Sequence, residues 1–441
     1  MSKHLYPHFK PSTEWLITIM SLFMIFGIAI DGWAHNHIGV DLHPFFTPYH
    51  AVLYGAYGVT ALIFFYEALK NHKEGFPLRR LLPKGYGLSM IGIIAFGLAG
   101  FFDMIWHLFL GVEVVTMDIT LSPAHLLLAF SGMAIMSGAW RSLWHHRELP
   151  VGLWNQLPFI FSFAFTLMPL LFMLQWANPW VYPWVDVTQE IVYPYFIAGG
   201  ILDAEFLGVA MGAASMLIIG TLLTIAFLHS LKRFMFPVGG MALTLVFTAS
   251  YLIFMRDGYS VILYVLIVGL VLEWVFAMVR KLGASKVLFV RLFSVLFPLI
   301  LWLGYFAWIN VVSNTSWSMH VFTGELFLLA ATGFLLGHVI ISDKDAASIE
   351  LPRGVTTTSG FLLLGGISVF GVVMYLLPTQ TSLHSILQPQ FNRADLVQPP
   401  VELLPTVREF TGRDDFIIYG EEETLPEDHH LYDILTEDHH E

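Results

Sequence analysis

The chain of 441 residues contains no cysteine, and only 12% of its residues are charged. The absence of cysteine excludes disulfide bonds, thiolate zinc sites, cysteine-ligated iron–sulfur clusters and covalently attached c-type haem. Soluble domains carry about 25% charged residues, so charge is scarce here. Hydrophobic residues make up 56% of the chain, and its mean hydropathy is +0.69. The composition therefore predicts an all-α, polytopic membrane protein.

Apolar runs long enough to cross a bilayer need about 20 residues of helix each. Eleven such runs lie at roughly 14–34, 48–68, 86–108, 122–140, 152–175, 205–229, 237–255, 259–279, 289–311, 319–341 and 358–377. The polar start and the lack of a small-residue cleavage site favour a retained first span over a signal peptide. We expect a transmembrane bundle in three parts: a duplicated hairpin region (1–140), a seven-span region (141–378) and an acidic, histidine-containing tail (379–441).

Lysine and arginine are unevenly distributed between the two sides of this eleven-span topology. Seventeen lie on one side, Arg256 alone lies in a loop on the other, and three arginines are in the tail. The positive-inside rule then predicts a cytoplasmic N-terminus and an external tail, in the cytoplasmic membrane. The net charge of −12 is concentrated in the tail and does not indicate nucleic acid as a partner.

A polar unit with the pattern D-x3-H…G-V-[DE]…[ST]-P-x-H occurs twice in the first part of the chain. Its acidic and imidazole residues are Asp31, His35 and His50 in the first copy, and Asp103, His107 and His125 in the second. The copies are offset by 72 residues at the first two positions and by 75 at the last. Ionisable residues near lipid are costly and usually functional. This internal repeat therefore predicts a metal site, which the topology puts on the external face.

The spacing within each copy has a structural reason. Residues four apart lie on one face of a helix, so each Asp-x3-His pair projects from the end of a span. Thr47 and Ser122 are good N-caps, and Pro48 and Pro123 suit the first helical position. The last histidine of each copy then lies in the first turn of the returning span. There the helix dipole favours neutral imidazole, the form that binds metal.

Weaker candidates surround this unit. Secondary candidate ligands in the intervening segments are His37, Asp41, His43, Glu113 and Asp118. The tail contains Glu-Asp-His-His twice, which is either a metal-collecting sequence or a solvated acidic end. A loop rich in Trp, Tyr and Pro (177–200) is expected at the lipid–water interface, with a lid over a pocket as the alternative.

Aspartate and imidazole without sulfur suit a divalent transition metal such as copper, iron, zinc or manganese. The D-x3-H…H pattern resembles the metal motif in the C subunit of copper-dependent membrane monooxygenases, the methane and ammonia oxidation family. The resemblance covers about 20 residues in each of two places, with 14 and 17 residues between the two histidines. It implies copper and O2-dependent oxidation of a small apolar substrate delivered through the bilayer.

Three functions are open at this point. The leading hypothesis is an integral-membrane metalloenzyme, a copper or non-haem iron oxidoreductase or monooxygenase, with possible additional subunits or an electron donor. The alternative is a divalent metal transporter that uses the tail as a collector and Glu273 on its path. The third is a b-type haem protein with paired histidines on facing helices. The predicted partners are therefore the lipid bilayer and either a small apolar substrate or a metal ion.

Overall fold

The computed structural model describes eight stretches of the chain. They are residues 6–37, 47–110, 120–145, 150–186, 204–256, 258–315, 317–352 and 354–376. Four of the secondary candidates, Asp41, His43, Glu113 and Asp118, lie outside these stretches, as does the tail. The side chain of His35 is also outside the description. Their predicted roles as ligands stay predictions.

The described stretches contain helices and no strands, as the composition predicts. The first part of the chain forms α1 (Pro11–His37), α2 (Pro48–Lys73), α3 (Gly87–Leu110), α4 (Pro123–Met136) and α5 (Gly138–Leu143), with a 3-10 turn at Leu78–Arg80. The remainder forms α6 (Leu153–Met173), a 3-10 turn at Gln175–Ala177, α7 (Ala204–Leu231), α8 (Gly240–Phe254), α9 (Ser260–Lys281), α10 (Lys286–Val312), α11 (Met319–Ile340), α12 (Asp343–Ser348) and α13 (Thr357–Leu376).

Nine helices in the described part are long and apolar enough to cross a membrane: α1, α2, α3, α6, α7, α9, α10, α11 and α13. Two more predicted spans are apolar but shorter, because α4 has 14 residues and α8 has 15. Large apolar side chains also point outward. On α3, for example, Ile91, Leu98 and Phe101 are 63%, 64% and 59% exposed. Exposed apolar side chains of this size are consistent with contact with lipid and with an integral membrane protein.

The first four helices pair as two hairpins, α1 with α2 and α3 with α4. Glycine allows close approach within each pair. A Cβ atom on Gly27 would lie 2.6 Å from the backbone nitrogen of Leu53. A Cβ atom on Gly92 would lie 2.8 Å from the carbonyl oxygen of Ser131. Small residues at helix contacts are typical of membrane bundles, where close backbone packing drives association.

The two hairpins meet where tyrosines of α2 lie over glycines of α3. The hydroxyl of Tyr57 donates to the carbonyl oxygen of Ile93 over 2.8 Å, and it lies 2.6 Å from where a Cβ on Gly97 would stand. One turn earlier, Tyr54 packs in the same way, with a ring carbon 2.8 Å from the Cβ position of Gly100. These contacts bring the start of α2 beside the end of α3.

The described part of the aromatic loop is folded into the protein. Trp180 is only 2% exposed, and the hydroxyl of Tyr305 donates to the carbonyl oxygen of Pro179 over 3.3 Å. The side chain of Asn178 accepts the backbone N–H of Trp180 at 3.0 Å, which turns the chain inward. Trp180 therefore packs inside the protein, and the predicted position of the loop at the lipid–water interface stays a prediction. Residues 187–200 lie outside the description.

Candidate metal centre

The second helix of each hairpin begins with the same capping arrangement. The Oγ1 atom of Thr47 accepts the backbone N–H of His50 at 3.1 Å, and Oγ of Ser122 accepts that of His125 at 3.3 Å. A proline follows each cap at the start of the helix. A side chain that bonds to the third helical N–H fixes where the helix begins. The predicted caps are confirmed, and each holds a histidine in the first turn.

The second hairpin brings three predicted ligands together. The Oδ1 atom of Asp103 lies 3.4 Å from Nε2 of His107 and 3.7 Å from Nε2 of His125. One ligand atom from each of the three lies within 4.8 Å of the others. Two ligands held about 2.1 Å from a tetrahedral ion are about 3.4 Å apart, so these separations are close to those of a coordinated ion. The group can hold a metal ion.

Burial makes the carboxylate of this group costly without a cation. Asp103 is 3% exposed, and its Oδ1 atom accepts no hydrogen bond from the described residues. A buried carboxylate is unfavourable unless it is paired or coordinates metal. The side chains of His107 and His125 are 16% and 25% exposed, so the site is open on the imidazole side. An ion bound here would satisfy Oδ1 and remain accessible.

Ser122 has a second contact besides its cap. Its Oγ atom lies 2.8 Å from Nδ1 of His125. When Nδ1 carries the ring proton and donates it to this oxygen, the lone pair on Nε2 is left free for a metal. Ser122 therefore positions the imidazole as well as the helix. The sequence predicted the cap but not this contact, although a separation of three residues brings the two side chains together on a helix.

The first hairpin repeats the contact between its helices. The Oδ2 atom of Asp31 lies 3.4 Å from Nε2 of His50, and the two side chains are 20% and 19% exposed. His37 stacks on Trp33, and its Nδ1 atom lies 2.7 Å from the carbonyl oxygen of Trp33. These contacts involve His37 in packing at the end of α1, and its role as a ligand stays a prediction.

Among the described residues, Asp103, His107 and His125 form the metal-type triad. The side chain of His35 is not described, so a single six-residue site formed by the two hairpins stays a prediction. Tyr54 lies between them. Its ring is centred 6.0 Å from that of His50, and it packs on Gly100, one turn before Asp103. Tyr54 was not predicted as part of the site, and its only signal in the sequence is its position four residues after His50.

Glu273, the acidic residue inside a predicted span, has a structural partner. Its Oε1 atom accepts the backbone N–H of Met241 at 2.9 Å and that of Ala242 at 3.4 Å. These are orphan donors of the first turn of α8, which need an acceptor when buried. Glu273 therefore caps a neighbouring helix, and this use accounts for a carboxylate at membrane depth.

No family model matches the chain, and neither a curated protein nor a solved structure matches it. The chemistry of the site is therefore inferred from its own residues.

Proposed function

We propose that the protein is an integral-membrane metalloenzyme whose metal is held by Asp103, His107 and His125. The observation that carries this proposal is the buried Oδ1 atom of Asp103. It faces two imidazole nitrogens at 3.4 Å and 3.7 Å and lacks a hydrogen bond from the described residues. A site built only for structure would satisfy that oxygen with a protein donor.

Three protein ligands leave coordination positions for substrate or solvent, which is the pattern of catalytic rather than structural metal sites. Two histidines and one carboxylate suit non-haem iron and also copper or zinc. The resemblance to the copper monooxygenase motif favours copper. The metal would supply redox chemistry or Lewis acidity, while the residues of the chain hold it, orient the imidazoles and bury the carboxylate.

The surface beside the site favours a small apolar substrate that arrives through the bilayer. Leu108 and Phe109, directly after His107, are 75% and 81% exposed. Apolar side chains this exposed on a membrane helix are suited to lipid, so an apolar molecule in the bilayer would meet an apolar surface next to His107 in the chain. Oxygen insertion consumes electrons from outside the site, so an electron donor or a further subunit belongs to the proposal.

Neither of the two alternatives gains support from the described geometry, and both stay predictions. The transporter hypothesis puts Glu273 on the path of the metal ion, but in the structure the carboxylate of Glu273 caps a helix. A b-type haem would need a porphyrin between two imidazoles, yet a single oxygen of Asp103 lies within 3.7 Å of Nε2 of both His107 and His125. Neither alternative has an observation in its favour that the metalloenzyme lacks.

Elemental analysis of the detergent-purified chain, with optical and electron paramagnetic resonance spectra, tests the proposal. We expect stoichiometric metal in the wild type and its loss in His107→Ala, His125→Ala and the double variant His35→Ala, His107→Ala. His338→Ala is the matched control, because this histidine is exposed near the end of α11 and contacts its own helix at Phe334. Unchanged metal in the His107 variants would remove the proposed ligands. A Soret band would establish haem instead.

The oxidoreductase step needs a separate measurement. We expect metal-loaded protein supplied with a chemical reductant to consume O2 in the presence of a short-chain hydrocarbon, and the His107→Ala variant not to. If metal-replete protein consumes no O2 with any reductant, the oxidoreductase proposal is wrong and only metal binding remains.

A further inference from the structure

A second site lies at the other end of the hairpins, where α1 begins and α6 starts. It is a cavity of about 260 Å³. Aromatic side chains of Phe9, Trp15 and Phe159 line it together with the imidazole of His8 and several prolines, and Glu14 is the acidic residue in its wall. Sites for small molecules are typically apolar cavities with a few convergent polar groups. This cavity has that composition and is separate from the candidate metal ligands.

Glu14 is held in the wall without a cationic partner among the described residues. Its side chain is 8% exposed, and one carboxylate oxygen accepts a hydrogen bond from the hydroxyl of Tyr86, which is fully buried. The guanidinium of Arg141 makes other contacts. It donates to Oγ of Ser89 at 2.8 Å and to the carbonyl oxygen of Ala134 at 2.9 Å. A buried carboxylate with only a neutral donor is electrostatically incomplete.

The aromatic side chains of the wall are packed against other rings. The ring of Trp15 stacks on that of Trp154, with centroids 4.3 Å apart and an interplanar angle of 29°. The ring of Phe9 is packed against Tyr86 at 4.8 Å. Aromatic faces beside a carboxylate attract organic cations, because the ring quadrupole and the negative charge act together. Trp is the strongest of the aromatic partners for such a cation.

We propose that this cavity binds an alkylammonium group, supplied either by the headgroup of an ethanolamine or choline lipid or by a free organic amine. Glu14 would pair with the charge, and Trp15 and Phe9 would contact the carbon atoms next to it. The position suits a lipid headgroup because Glu14 lies in the first turn of α1, a helix long and apolar enough to span the membrane. The proposal does not depend on the metal site or on the proposed function.

The free-amine arm uses full-length protein in lipid nanodiscs without amine headgroups, titrated with choline chloride against sodium chloride at equal ionic strength. Isothermal titration and the melting temperature are recorded. Glu14→Gln keeps the shape and an acceptor for Tyr86 but removes the charge, so we expect affinity to fall about tenfold or more. Trp15→Leu removes one aromatic face and should weaken binding about fivefold. It also serves as the test if Glu14→Gln does not fold.

A matched control is Glu67→Gln on α2, which removes a buried carboxylate that pairs with Lys70 at 3.2 Å outside the cavity. It should bind choline like the wild type. The lipid arm uses native mass spectrometry of protein released from phosphatidylethanolamine or phosphatidylglycerol nanodiscs. Retention of the ethanolamine lipid by the wild type but not by Glu14→Gln supports a headgroup, and choline binding alone supports a free amine. Binding in neither arm, or equal binding by Glu14→Gln, overturns the proposal.

Discussion

The Oδ1 atom of Asp103, near the end of α3, lies 3.7 Å from Nε2 of His125, in the first turn of α4. Asp31 and His50 make the equivalent contact between α1 and α2 at 3.4 Å. At the positions that make this contact, the two hairpins share the acid, the cap, the proline and the histidine. The hairpins differ in burial, since Asp103 is 3% exposed and Asp31 is 20% exposed.

This difference predicts unequal effects for the same substitution. Asp103→Asn removes the charge from a buried ligand, and we expect the affinity for metal to fall by at least about tenfold, the smallest loss usual even for groups that only support a ligand. Asp31→Asn, the matched control, should leave this affinity within about twofold, because its carboxylate is outside the triad. Competition with a metallochromic indicator gives both constants. Equal losses would indicate one ion shared by both hairpins.

Ser122→Ala should lower metal affinity through the imidazole that it positions. Removing an N-cap costs about 1 kcal/mol, and removing a hydrogen bond that orients a ligand typically costs 10–100-fold in metal affinity. Ser285→Ala is the control, because Ser285 caps α10 by accepting the N–H of Leu288 at 3.1 Å. Both variants should lose similar stability in thermal unfolding, but only Ser122→Ala should bind metal more weakly. If Ser122→Ala binds metal with wild-type affinity, Ser122 acts only as a helix cap and does not position the imidazole.

Gly92→Ala should disturb the site from a distance along the helix. Its Cβ atom would meet backbone atoms of α4 at 2.8 Å and 3.0 Å, so α3 and α4 must move apart, and Asp103 and His125 lie on these two helices. We expect a loss of about 1–3 kcal/mol in stability, together with weaker metal binding. Gly55→Ala has nothing within 4 Å of its Cβ and should be neutral or stabilising. Normal metal binding in folded Gly92→Ala would show that the spacing of the helices tolerates this change.

The parts of the site that the sequence could predict are those fixed by neighbours in the chain. A cap, a proline and a histidine within four residues specify the first turn of a helix whatever surrounds it. The contact between Asp103 and His125 followed because a short connection returns the chain to the same end. Tyr54 was missed because its position depends on Gly100 of another helix. No pattern along the chain encodes that contact.

The predicted span at 122–140 differs from the observed α4 for a similar reason. The apolar run continues through residue 140, but the helix ends at Met136, and a separate turn of helix begins at Gly138. A Cβ atom on Gly138 would lie 2.6 Å from Oγ of Ser89 and from a ring carbon of Tyr86. The close packing of this segment against the start of α3 accompanies the break. Hydropathy measures the solvent that a segment prefers and carries no information about such packing.

Substitutions of Glu273 test whether its carboxylate is structural or lies on a path for metal transport. Glu273→Leu removes the acceptor for the buried N–H groups of Met241 and Ala242, and each unsatisfied donor costs about 1–3 kcal/mol, so we expect a clear fall in melting temperature. Glu273→Gln keeps an oxygen at the same place and should lose much less. Metal content should equal that of the wild type in both variants, because the ligands lie on α3 and α4. Metal uptake into vesicles that was lost in a stable Glu273→Gln variant would contradict this, since a neutral amide can cap α8 but cannot replace a carboxylate that carries a cation.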